Sequence, residues 1–405
     1  MKFTYIISSL IHSFKKLAYN IINELDYKKP IFFFAIILIG FFIKLLFIPF
    51  QSGDYTVFLN PWIKFITDHG FFSSLKYNFN NYSPAYIYIL ILIAKTGLNS
   101  LYLIKSVSII FEFILAFYIG KILFLKHNNK KVFLISVAIL PIIPTILINS
   151  SFWGQCDVIY ANFVIAGIFY SLVNRQLLSV IMLSIGIAFK IQAIFILPYY
   201  FILLLTGKTK WYYFLAIPAI YFLSVLPAWM YGRNLVDLLS IYMNQSDYYQ
   251  ALTMFMPNIY ILIEELDYKT FKFAGMLLTT FLTLWAGFHI KKLNVNLNND
   301  TLIQIAFLSV IVCPFILPGM HERYLFLGDV LAFIFIFWFK RNIRIPISIL
   351  FVSFYAYVSC TRFREFIPHW PAFIIYVWVI YLTLKKLKIQ LTEESKQDKN
   401  QEHNE

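Results

Sequence analysis

IFFFAIILIGFFIKLLFIPF, residues 31–50, decides how the rest of the chain is read. Hydrocarbon offers no hydrogen bonds to backbone N–H and C=O, so an apolar run of this length must be a helix. About 20 residues at about 1.5 Å each cross a bilayer core of about 30 Å. Lys15, Lys16, Lys28 and Lys29 precede the run, which places the amino terminus in the cytoplasm and residue 51 outside. Comparable runs, separated by short polar connectors, recur as far as Leu384. They predict an all-α integral membrane protein, a polytopic bundle of about 12 transmembrane helices. The ten-residue alternation of an outer-membrane barrel is missing.

Composition agrees. Of 405 residues, 60% are hydrophobic and 13% charged, with mean hydropathy +0.71; soluble domains are roughly half apolar and a quarter charged. The net charge of +14 is spread over short connectors rather than gathered on one domain, so it reads as membrane topology and a nucleic-acid partner is excluded. Cys156, Cys313 and Cys360 have neither metal-ligand spacing nor an even disulfide framework. Residues 1–29 mix apolar and basic side chains without a cleavage signal and predict a cytoplasmic amphipathic segment lying in the interface. Residues 30–388 form the membrane domain, and the polar tail 389–405 carries too little apolar surface to order itself.

Residues 84–94 are too short to span comfortably and are read as re-entrant or interfacial. With that choice Leu101–Leu125 descends to Lys126, Lys130 and Lys131, later spans follow in register, and most of the 34 Lys and Arg residues fall inside. The two long connectors, 51–83 and 231–272, fall outside.

The chemistry-bearing residues then collect at one end of the bundle. After Ser52-Gly53-Asp54, the residues Val57, Phe58, Trp62, Phe65 and Ile66 recur at helical spacing up to Gly70, an amphipathic helix lying on the surface. Asp54 at its start either caps that helix or acts as a base at the bundle mouth. In Ser151-Phe-Trp-Gly-Gln-Cys-Asp157, Trp153 is either an aromatic-belt residue or a site residue; Asp157 either caps the next helix or binds sugar hydroxyls together with Gln155. Lys190, followed by Gln192, sits between two short apolar runs as a phosphate ligand or as a snorkelling lysine. Pro318-Gly-Met-His-Glu-Arg-Tyr324 is the densest cluster. Arg323 offers a planar fork for phosphate, His321 a proton-sensitive donor, and Glu322 an orienting carboxylate, unless the three are a local ion network fixing the turn. Asp247, among Asn244-Gln-Ser-Asp-Tyr-Tyr249, has the polar and aromatic surroundings of a sugar contact or of an ordinary loop. Glu112 and Asp329 lie within spans, as functional groups or as interhelical hydrogen-bonding ones.

Taken in order, Asp54, the aromatic amphipathic helix, Trp153-Gly-Gln-x-Asp157, Lys190-x-Gln192-Ala and Met320-His-Glu-Arg-Tyr324 resemble the GT-C glycosyltransferases, closest in look to prokaryotic mannosyltransferases related to GPI mannosyltransferase II. The resemblance covers about Asp54 to Asp329. It implies a polyprenyl- or dolichyl-phosphate sugar donor, inverting transfer to a glycan, lipid or protein acceptor, and a site on the non-cytoplasmic face of a prokaryotic cytoplasmic membrane. Asp54 takes the place of the catalytic base. Lys190, His321 and Arg323 are then lipid-phosphate ligands, and Trp153, Gln155, Asp157, Gln192, Glu322 and Asp247 position sugar or acceptor. Tyr55 stands where protein O-mannosyltransferases carry a second acid, which counts against a protein acceptor. Some related enzymes use a divalent metal; no tight carboxylate cluster is readable here, and no metal or other cofactor is expected.

Two other classes compete. A transporter or flippase of lipid-linked sugars would show paired halves and polar groups near the bilayer midplane. A polysaccharide polymerase would show arginine-rich exterior loops, whereas Arg233 is the only arginine of 231–272.

Overall fold

A computed structural model of the chain describes residues 30–340, 342–360 and 368–402. The interfacial segment expected over residues 1–29 lies outside them. Apart from a two-residue parallel pair, the described architecture is helical. The helices are α1 (Pro30–Phe47), α2 (Asn60–Asp68), α3 (Pro84–Lys95), α4 (Ser100–His127), α5 (Lys130–Ile139), α6 (Asp157–Leu172), α7 (Gln176–Phe189) and α8 (Leu197–Leu205). They are followed by α9 (Ala216–Met230), α10 (Tyr268–Lys292), α11 (Asn299–Ile316), α12 (Phe326–Trp338), α13 (Arg344–Ser359) and α14 (Trp370–Glu402).

Among the described residues four helices are long and apolar enough to cross a membrane: Ser100–His127, Trp211–Met230, Tyr268–Lys292 and Asn299–Ile316. A fifth crossing arises if Lys130–Ile142 and Pro144–Phe152, bent by 57°, form one span. Pro141 and Pro144 account for the bend, since each lacks a donor and crowds the preceding turn. Among the described residues seven further apolar stretches of helix have only 10–17 residues, so length and apolarity alone assign fewer crossings than the dozen expected from the sequence.

What these helices bury and what they leave bare identifies their solvent. α6 sits against α4 and α7 and α12 against α13, and nearly every side chain of α6 and α12 is buried. On α10, by contrast, Phe273, Leu277, Phe281 and Trp285 form an outward row at four-residue spacing, each more than half exposed. In water such a row would be an extended apolar patch; in a bilayer it faces acyl chains. The chain is therefore built as an integral membrane protein.

The tail departs from its compositional reading. α14 continues through Glu402 because Leu387 and Leu391, one turn apart, are buried, and Thr301 Oγ1 donates to the buried Glu394 at 2.5 Å. Docking on the start of α11 supplies the order that composition alone predicts to be missing.

Two buried lysines hold the first helix. Lys44 on α1 lies 2.6 and 2.9 Å from the two carboxylate oxygens of Glu112 on α4, and both are fully buried. Ser150 donates to the same carboxylate. Glu112 is thus a partner in an interhelical ion pair. One turn past the end of α1, Lys105 Nζ donates to the carbonyls of Phe47, Ile48 and Phe50 at 2.9, 3.1 and 2.6 Å, satisfying groups a helix terminus leaves unpaired. Replacing Lys105 with Met is expected to destabilise the protein by about 1.5–3 kcal/mol, the range for a charge-assisted hydrogen-bonding group. Thermal unfolding in lipid nanodiscs measures this, and an unchanged midpoint would contradict the capping role.

Candidate active site

Ser52, not Asp54, caps the helical turn that begins the first long connector. The Ser52 hydroxyl accepts from the Tyr55 N–H at 3.2 Å and donates to the Trp153 carbonyl at 2.7 Å. Asp54 has helical backbone angles and makes no side-chain cap. Its carboxylate instead accepts from Gln155 Nε2 and lies 3.8 Å from Arg323, with about a third of the side chain exposed. Of the two readings of this residue, capping is excluded. Gly53, by contrast, is not needed for close approach: a Cβ there would meet open space.

Gln155 reaches Asp54 because the chain reverses at Gly154, whose φ of +71° lies in the left-handed region that favours glycine. A Cβ on Gly154 would also come within 3.5 Å of Lys105. The turn is pinned on both sides. The Gln155 N–H donates to the Asn149 carbonyl at 2.9 Å, and Ser108 on α4 donates to the Gln155 carbonyl at 2.9 Å.

The third wall comes from the connector between α11 and α12. Strands β1 (Thr253–Met254) and β2 (Met320–His321) pair in parallel, Thr253 with Met320 and Met254 with His321, and thereby lock the second long connector onto the His-Glu-Arg-Tyr stretch. The sequence shows no strand here, since two residues carry no periodicity. His321 sits edge-on to Tyr249, with ring centroids 5.3 Å apart, and its Nδ1 is 3.6 Å from Glu322.

Together these segments enclose a cavity of about 740 Å³. Asp54, Trp153, Gln155, Lys190, His321, Glu322 and Arg323 all line it. Tyr82, Tyr86, Tyr248 and Tyr249 line it too; no role is legible for Tyr86 in its local sequence, because aromatic residues are common throughout this chain.

Three residues expected at the site stand elsewhere. Asp157, at the first position of α6, is 1% exposed and does not line the cavity. It forms the ion pair that holds Lys190, accepts from Asn149 Nδ2 at 2.8 Å, and lies 3.9 Å from Arg323 Nε. It therefore positions cations rather than touching a sugar. Gln192 is buried behind Lys190, away from the cavity lining, because the backbone turns into a 3₁₀ segment, Ile191–Ile196. Asp247 pairs with Lys272 at 2.5 Å, with more than half of its side chain in solvent; its neighbours Gln245, Tyr248 and Tyr249 face the cavity instead.

Lys190 is 3% exposed, which excludes snorkelling. Its backbone is extended between α7 and the 3₁₀ segment, and its ammonium lies 5.6 Å from the Tyr82 ring centre. Arg323 is the electrostatic hub: Nη1 donates to Glu322 at 2.9 Å and stands 3.8 Å from Asp54, while Nε makes no hydrogen bond. Burial opposes its charge, but Glu322 and Asp54 hold the guanidinium well above its already high range. Burial would likewise raise the Glu322 carboxyl, yet Arg323 and His321 outweigh it and hold the group at about 2. Burial pushes the His321 imidazole below its ordinary value.

A carboxyl depressed on folding contributes stability above the unfolded-state value and loses it as pH falls toward the folded-state value. The thermal midpoint should therefore hold from neutral pH down to the usual carboxylate range and then decline toward about 2. Glu322→Gln should flatten that decline; an identical acid profile in the variant would contradict it.

Among the described residues no three His, Cys, Asp or Glu side chains converge to hold a metal ion. Compared with protein-family models, curated proteins and solved structures, the chain matches none.

Proposed function

We propose that this chain is an inverting membrane glycosyltransferase that moves a hexose, mannose foremost, from a polyprenyl-phosphate donor to a glycan or lipid acceptor. The observation that carries this reading is the meeting, in one aromatic-lined cavity, of a partly exposed carboxylate, Asp54, with two cations, the largely buried Arg323 and the buried Lys190. Deprotonating a hydroxyl nucleophile and stabilising a departing phosphate require that pair of charges.

Asp54 takes the proton from an acceptor hydroxyl as its oxygen bonds to the anomeric carbon from the face opposite the phosphate. The bond between that carbon and the phosphate oxygen breaks, and its electron pair leaves with the lipid phosphate. Arg323 Nε, buried without a hydrogen-bond partner, is a donor for the developing charge, and Lys190 adds a second cation. Glu322 and Asp157 compensate these cations, so neither stands as an uncompensated buried charge. Aromatic walls from Trp62, Tyr82, Trp153 and Tyr248 suit the apolar faces of a sugar ring. In this reading the shorter apolar helices complete the bundle to about twelve crossings, and the cavity faces away from the lysine-rich, cytoplasmic side.

The test is incubation of the purified chain in lipid nanodiscs with labelled polyprenyl-phosphate mannose or glucose and a mixture of glycan and glycolipid acceptors. Label is expected on an acceptor, with free polyprenyl phosphate as co-product. Movement of intact donor across a vesicle bilayer without cleavage would instead identify a flippase.

A further inference from the structure

Beside the cavity lies a second cleft of about 330 Å³, at the lower end of the range for ligand pockets of about 300–1,000 Å³. It shares Phe58, Trp62, Asn81, Gln245 and Tyr248 with the cavity, so the two adjoin across a largely aromatic wall. Its far side is built from the loop before α3 and the connector after α9, which supply Asn80 and Arg233.

Four buried polar atoms on these residues have no hydrogen-bond partner: Asn80 Nδ2, Asn81 Oδ1, Arg233 Nε and Gln245 Oε1. Buried polar groups are ordinarily satisfied, so four orphans in one cleft mark a place where a ligand supplies the partners. Two are donors and two acceptors. A hydroxyl both donates and accepts, whereas a phosphate oxygen at neutral pH mostly accepts and would leave the amide oxygens unmet. The charge balance points the same way: Arg233 is 4% exposed and donates to Asn78 Oδ1 at 2.6 Å, and the carboxylate of Asp237 lines the same cleft. Mixed amides over an aromatic floor, without surplus charge, are chemistry for a neutral, hydroxyl-rich ring.

We infer that this side cleft is a saccharide subsite that seats the sugar acceptor next to the transfer cavity. The saccharide ligand follows from the cleft itself; its role as acceptor rests on the transferase reading above.

The purified full chain in nanodiscs, titrated calorimetrically with neutral manno- and gluco-oligosaccharides of two to five units, tests the inference. Saturable binding is expected. Asn80→Asp should weaken it about tenfold or more, because the variant keeps the Oδ1 that accepts from the Tyr82 N–H at 3.1 Å and removes the free donor. Gln245→Leu, which leaves that turn untouched, should weaken binding similarly. Absence of saturable binding across the panel, wild-type affinity in both variants, or preferential binding of inorganic phosphate would overturn the assignment. Saccharide binding sensitive to Asn80, in a protein that turns over no lipid-phosphate donor, would uphold the cleft and refute only the transferase. Donor turnover with acceptor KM unchanged in both variants would refute only the cleft.

Discussion

Replacing Asp54 by Asn is expected to lower sugar transfer about 10²–10⁴-fold, the range for loss of a positioned general base, while the protein folds and binds donor as before. Asn retains an oxygen to accept from Gln155 Nε2, so the contact between the first connector and the 153–157 turn survives. Arg323 keeps Glu322 at 2.9 Å and so is not left uncompensated by loss of the charge 3.8 Å away. What disappears is the ability to take a proton. Initial rates with labelled donor, beside donor affinity and the thermal midpoint, separate these effects. Wild-type turnover would remove Asp54 from the mechanism, whereas a collapsed midpoint would make it a structural residue.

The second large effect lies in the pair between α1 and α4. Lys44→Met leaves the Glu112 carboxylate fully buried without its cation and is expected to cost about 3–5 kcal/mol, the range for breaking one side of a buried ion pair. The double variant Lys44→Met with Glu112→Gln should recover most of that loss, because no charge remains and Ser150 keeps an oxygen to donate to. Heating the variants in nanodiscs and following the folded fraction gives the comparison. A double variant no more stable than the single one would show that the pair contributes through something other than charge compensation.

Much of this arrangement is legible in the sequence because apolar run length and helical spacing are local properties. Leu101–Leu125 anticipates α4, and Val57 to Ile66 with the stop at Gly70 anticipates the helical stretch ending in α2. Seven of the ten proposed site residues line one cavity because they occupy connectors at one end of the bundle. Partner choice is less legible. Glu112 pairs across 68 residues of sequence, and Asp157, which does not line the cavity, pairs with Lys190, 33 residues on. Asp247 looks identical in composition to its cavity-facing neighbours, and only the proximity of Lys272 distinguishes it. The tail misleads for a related reason: composition averages over residues, whereas Leu387, Leu391 and Glu394 act through one helical face.

The Lys105 cap has a consequence for how such a protein can change. Lys105 grips the end of α1, and Ser108, one turn along on α4, grips Gln155, so a single rigid helix sets both the approach to Asp54 and the amide that meets it. The stretch from Tyr55 to Ser83 packs beside that anchorage: Tyr55, Trp62, Ile66 and Leu75 are buried, and Ser83 donates to the Ala188 carbonyl at 2.7 Å. Its exposed turn, residues 67–70, is where length and sequence can change without disturbing Trp62 and Tyr82 in the cavity wall, so variation is channelled to that tip.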